Sequence, residues 1–121
     1  MATPGDYASM LKYSVAVAFA RVGNDPLGLA HRVRHLGDAY RRLGRAASAD
    51  ACYVEALAIY RRHQATKPLD LANALRGFAL LKENGGARQD ARSLWQEAHD
   101  LYVKVEVAAG VQESAARLAA L

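Results

Sequence analysis

Cysteine is almost absent from this chain, and Cys52 is its only one. No intramolecular disulfide framework is therefore possible, and no cysteine-based metal site. That usage suits a reducing compartment, so a cytoplasmic location is expected. Proline is confined to Pro4, Pro26 and Pro68, which leaves long stretches free to be helical. No segment alternates with period two under strand-forming residues, so no sheet is expected. No apolar run approaches the roughly 20 residues needed to span a bilayer, so no membrane role is expected. Tyr13 to Ala20 is a short apolar run ending in Ala18-Phe19-Ala20, which mimics a secretory cleavage site. The basic leader of a signal peptide is missing, since Lys12 is the sole basic side chain before it and Asp6 offsets it. A buried first helix is the expectation instead.

What the chain does have is a repeat. Leu29-Ala30 returns as Leu71-Ala72, and the same step in numbering carries Val33 to Leu75, Leu36 to Phe78 and Gly44 to Gly86. It then carries Ala49 to Ala91, Tyr53 to Trp95, Glu55-Ala56 to Glu97-Ala98, and Tyr60 to Tyr102 without a gap. A fixed period of this size marks units that bury their apolar faces only against their neighbours.

Periodicity and punctuation divide the chain into about six helices within one domain spanning residues 1–121. An N-terminal helix covers 6–22. Repeat one covers 27–64, with a break at Gly44, and repeat two covers 69–108, with a break at Gly85-Gly86. A C-terminal capping helix covers 111–121, after a stop at Gly110. Asp25 and Pro26 read as the cap and first residue of the second helix. Core stripes follow at steps of three and four, including Val33 and Leu36, then Ala49, Tyr53, Ala56 and Tyr60, and their equivalents one period on. Cys52 aligns with Leu94 and reads as a core residue with a suppressed thiolate.

The run Leu36-Gly37-Asp38-Ala39-Tyr40 with Gly44, followed by Ala49, Tyr53, Ala56 and Tyr60, resembles a tetratricopeptide repeat. The period, longer than the usual unit of that family, is similar to the long-helix variety of kinesin light chains. The second unit departs from the pattern at Ala79, in place of Gly37, and at Lys82, in place of Tyr40. The resemblance implies an all-α fold, a right-handed α-solenoid of antiparallel helix pairs. It also implies a non-catalytic scaffold that binds a peptide or protein segment in a concave groove lined by the first helix of each pair. On this sequence those positions are His31, Arg34, Asp38 and Arg41, then Asn73, Arg76, Leu80 and Glu83.

Charge suggests an acidic partner. Between Leu29 and His63 lie Arg32, Arg34, Arg41, Arg42, Arg45, Arg61 and Arg62 against Asp38, Asp50 and Glu55. That excess equals the formal net charge of +4, so the positive field belongs to the first unit. Arg34 and Arg76 are one period apart and would suit a shared anion. The competing reading is a solvated face, with Arg34, Asp38 and Arg41 as ordinary helix-surface pairs. An Arg-rich nucleic-acid-binding helical domain is the alternative function, weakened by the lack of a short base-reading helix or exposed stacking aromatics.

Other chemistry does poorly. His31 and His35 have a chelating spacing, but Arg32 and Arg34 sit between them and no acidic ligand does. No nucleophile–base pair or phosphate loop is present, so neither an enzyme nor a cofactor is expected. The first helix is apolar almost all round, which a terminal solenoid helix should not be. Either it packs on both sides within the chain or a second copy covers it. A homodimer through Leu11, Val15, Val17 and Phe19 is expected on this ground.

Overall fold

A computed structural model describes residues 2–121. The described residues form six helices and no strand: α1 Pro4–Arg21, α2 Pro26–Arg42, α3 Ala46–Arg62, α4 Pro68–Asn84, α5 Arg88–Lys104 and α6 Ala108–Ala120. They fall into two compact units, Met1–Gln64 with α1 to α3 and Ala65–Leu121 with α4 to α6. In the first unit α1 packs on α2 and α2 on α3; in the second α4 packs on α5 and α5 on α6. The turns joining each packed pair are too short for the chain to travel back along a helix, so paired helices run antiparallel. The all-α repeat architecture expected from the period is thus observed. Each boundary of α4 and α5 lies one full period after the corresponding boundary of α2 and α3.

Local chemistry starts and stops these helices. Thr3 and Asp6 form a reciprocal capping box, so α1 begins at Pro4 rather than at Asp6. Asp25 accepts from the Gly28 amide, with Pro26 as the first helical residue, as expected. Arg41 and Arg42 lie in the last turn of α2, and Arg61 and Arg62 in the last turn of α3. There they complement the negative end of each helix dipole.

The cores of the two pairs repeat as well. Ala49, Tyr53, Ala56 and Tyr60 of α3 are buried, and so are Ala91, Trp95, Ala98 and Tyr102 of α5. Small residues admit the neighbouring helix and aromatics fill the groove beside it.

Three turns close in one geometry. In each, the amide two residues past the helix cap reaches back to a carbonyl of the last turn: Arg45 to Tyr40, Ala87 to Lys82 and Val107 to Tyr102. The residue between is left-handed in every case. It is Gly44 (φ 76°) and Gly86 (φ 78°) in the first two, but Glu106 (φ 59°) in the third. This corrects the expected end of the fifth helix at residue 108: α5 stops at Lys104, at a turn with no glycine to announce it. Gly110, read as a stop, lies buried inside α6 instead. A Cβ there would come within 2.4 Å of the Tyr102 ring, so the glycine admits close packing rather than ending a helix.

The first helix also differs from expectation. Only Val17 of α1 is buried, and Tyr7, Leu11, Val15, Phe19 and Val22 are exposed. Packing on one side by α2 leaves the opposite side of an all-round apolar helix open. Among the described residues no helix is long and apolar enough to cross a membrane.

Candidate functional site

His31, Arg34, Asp38 and Arg41 follow one another at steps of three and four, which sets them on one side of α2. Two tyrosines of α3 organise that side. Tyr53 donates its hydroxyl hydrogen to Asp38 at 2.5 Å and accepts from Arg41 Nε at 3.1 Å. Burial and the adjacent Asp38 carboxylate push the Tyr53 pKa well above its ordinary value, so the phenol stays neutral. Tyr60 hydrogen-bonds His31 Nδ1 through its hydroxyl at 2.6 Å. His35, next in line, stacks on Tyr13 of α1 with ring centroids 4.9 Å apart. Burial, then the Arg34 guanidinium, lowers the His35 pKa and favours the neutral imidazole. The two histidines considered as a metal pair therefore have separate partners.

Arg34 is the exception on this side of α2. Its side chain is only 13% exposed, yet Nε is buried without a hydrogen-bond partner. The nearest carboxylate oxygen, on Asp38, stands 3.9 Å from its NH1 nitrogen, and Asp38 is already held by Tyr53. Its other terminal nitrogen lies 3.5 Å from His35 Nε2. A guanidinium this enclosed normally has its donors matched to acceptors.

The equivalent side of α4 is chemically closed. Asn73 accepts from the Tyr102 hydroxyl at 2.7 Å. Arg76 grips Glu113 of α6 with two bonds, at 2.5 and 3.0 Å. Glu83 accepts from Trp95 Nε1 at 2.5 Å and from Arg117 of α6 at 2.8 Å. Leu80 is half-buried. A cleft of about 390 Å³ remains, lined by Asn73, Arg76, Tyr102, Val107, Ala109, Gly110 and Glu113. The expectation that Arg76 is available to an outside anion is corrected here, because the chain's own Glu113 occupies its fork in the bidentate geometry an outside carboxylate would use.

Glu113 and Arg117 lie outside the set read from the sequence. A signal for them exists: they stand four apart on α6, with charges complementary to Arg76 and Glu83, seven apart on α4. Both already lie within the helix expected over 111–121; what the spacing does not give is how that helix packs against the unit, and so which residue of α4 each one meets.

Of the expected interface residues on α1, Leu11, Val15 and Phe19 are 62%, 58% and 74% exposed. Val17 is 6% exposed and packs inward, so it is removed from that set. Arg21, at the end of α1, forms a two-pronged ion pair with Glu55 of α3 at 2.6 and 2.8 Å. That bond lowers the Glu55 pKa and raises that of Arg21. Cys52 is half-buried, and burial pushes its thiol up to about 11. Comparison with family models, with curated proteins and with solved structures finds no match.

Proposed function

We propose that the chain is a tetratricopeptide-like interaction module, without catalytic activity, that binds an acidic peptide or protein segment along α2 of its first unit. The observation that carries this reading is the guanidinium of Arg34, whose Nε has no hydrogen-bond partner and whose ion pair with Asp38 is long, at 3.9 Å. An enclosed cation with one unpartnered donor and a long ion pair gains more from an incoming carboxylate than a solvated surface arginine does. His31, Asp38 and Arg41 are held by the α3 tyrosines, so the surface around Arg34 is preorganised. On α4, Asn73, Arg76 and Glu83 serve internal clasps rather than the partner. A cytoplasmic setting suits the single unpaired cysteine.

The nucleic-acid alternative loses support from the arginine positions. Arg41 and Arg42 end α2, Arg61 and Arg62 end α3, and the two helices are antiparallel. The pairs therefore sit at opposite ends of 17-residue helices, roughly 25 Å apart, rather than in one phosphate-tracking stripe.

Fluorescence anisotropy with labelled Asp/Glu-rich peptides tests the reading. Arg34→Ala should weaken binding about tenfold, the loss of one charge-assisted contact, with the helical circular dichroism retained. Arg76→Ala should change it far less, because that arginine is committed to Glu113. Unchanged affinity on Arg34→Ala would remove the reading. Binding to duplex DNA that collapses with added salt, and no binding to acidic peptides, would favour the alternative.

A further inference from the structure

α1 carries the register of the second helix of a pair. It starts at Pro4, one period before α3 starts at Ala46, and α5 starts one period further on at Arg88. In α3 and α5 the side turned to the preceding helix is marked by bonds: Tyr53 to Asp38 and Arg41, Tyr60 to His31, Trp95 to Glu83, Tyr102 to Asn73. One period before Tyr53 stands Leu11, and one period before Ala49 stands Tyr7. Tyr53 and Ala49 are fully buried, whereas Leu11 is 62% and Tyr7 48% exposed. The side of α1 that the repeat would cover with a helix is open.

From Tyr7 and Leu11 an exposed apolar stripe continues through Val15, Phe19 and Val22, flanked by the exposed Lys12; Phe19 and Val22 extend beyond the side the repeat covers, since they stand one period before the exposed Arg61 and Gln64. The geometry points to a second copy of this chain as its occupant, with two α1 helices packed antiparallel about a two-fold axis at Val15. Three observations select that occupant. The stripe is self-complementary under reversal: Val15 lies midway between Leu11 and Phe19, and within one residue of midway between Tyr7 and Val22. Turning one α1 end for end therefore sets Val15 on Val15, Leu11 on Phe19 and Tyr7 near Val22, as an isologous contact requires. The area is sufficient, because these side chains expose on the order of 500 Å². Complete burial of these side chains in two copies would remove about 1,000 Å², the least that a specific interface needs. The stripe also gives an acidic or basic partner little charge to read: Arg21, at its end, is held by Glu55, and Lys12, at its flank, lies over the Tyr13 ring. This surface is separate from the Arg34 side of α2, and the inference does not rest on the proposed function.

Light scattering on the full chain, combined with cysteine cross-linking, tests it. The wild type should run at twice the chain mass at roughly 50 µM and fall towards the monomer on dilution. Val15→Asp should give a monomer with unchanged helical circular dichroism, since Val15 is exposed; Phe19→Ser serves as the second variant. In a Cys52→Ser background, Val15→Cys should form a covalent dimer under mild oxidation, and Gln96→Cys on α5 should not. A wild type that stays monomeric across this range overturns the inference. So does a dimer that survives Val15→Asp and gives no Val15→Cys cross-link. Monomer that adsorbs to anionic phospholipid vesicles through the same residues would assign the stripe to a lipid surface and equally overturn it.

Discussion

The two helix pairs have the same lengths, the same turns and the same aromatic positions on their second helices, yet they close their polar edges with opposite chemistry. In the first, Tyr53 accepts from Arg41 while donating to Asp38. In the second, Trp95 takes the place of Tyr53 and donates to Glu83, which takes the place of Arg41. A hydroxyl both accepts and donates, whereas an indole N–H only donates. The change from Tyr to Trp therefore requires an acceptor where the first unit has a donor, and position 83 supplies one. The other polar link is unchanged in form: Tyr60 meets His31, and Tyr102 meets Asn73, at the same separation in sequence. Packing is conserved between the units, and polarity is adjusted to whichever aromatic fills the groove. One consequence reaches function. Arg76 and Glu83 of α4 are spent on α5 and α6, while Arg34 of α2 keeps a buried Nε without a hydrogen-bond partner.

The largest predicted effect tests the shared packing. Trp95→Ala and Tyr53→Ala should each cost about 3–5 kcal/mol, because each empties a fully buried aromatic site. Urea midpoints at constant slope measure this, and a marked inequality between the two would break the equivalence of the units. A smaller effect concerns the turns. Glu106→Gly should stabilise by about 1 kcal/mol, by relieving a left-handed non-glycine residue on an exposed turn. Gly86→Ala, at the equivalent left-handed site, should destabilise by about the same amount. Opposite signs for the two substitutions would sharpen the picture of one turn used three times.

A pH dependence separates the units further. His35 in the first unit has its pKa lowered by burial and by Arg34, and Gly77 stands one period later in the second. Below the ordinary histidine value of about 6.5 the unfolded chain binds the proton and the folded chain resists it. Stability should therefore fall as pH drops through that value towards the lowered folded pKa, and level off below it. Other groups facing this ring are Tyr13, His31, Asp38 and Arg42. His35→Phe, which keeps a ring against Tyr13, should flatten that part of the profile in thermal melts from pH 7.5 to 5.5 (about one unit either side of the reference value).

Much of this fold is legible in the residues. The fixed repeat step locates both pairs, the aromatic positions and the Gly44 and Gly86 turns, because each depends on local periodicity or on a residue with special backbone freedom. Elements without such a marker escape. The turn at Glu106 uses an ordinary residue, so the end of α5 and the start of α6 are hidden, and the Glu113 and Arg117 clasps depend on packing that the spacing does not reveal. The exposure of α1 is hidden for another reason: apolarity all round a helix states that it can be buried, not which side its neighbour covers. At the candidate site the residue types are readable, but their pairing is not. Whether Arg34 or Arg76 is satisfied depends on a carboxylate from a distant helix, and nothing in the spacing of α2 and α4 reveals it.

The polarity swap at the aromatic edge is most directly tested by a double-mutant cycle on Glu83→Arg and Trp95→Tyr, measured by urea unfolding. Glu83→Arg alone sets a donor against the donor-only indole and also loses the Arg117 bond. Adding Trp95→Tyr supplies a hydroxyl that can accept, recreating the Tyr53–Arg41 arrangement, while the Arg117 loss and the smaller ring contribute equally to both arms and cancel. The double variant should be more stable than the sum of the single losses by about 1–2 kcal/mol. Losses that add to within about 0.3 kcal/mol would contradict the swap.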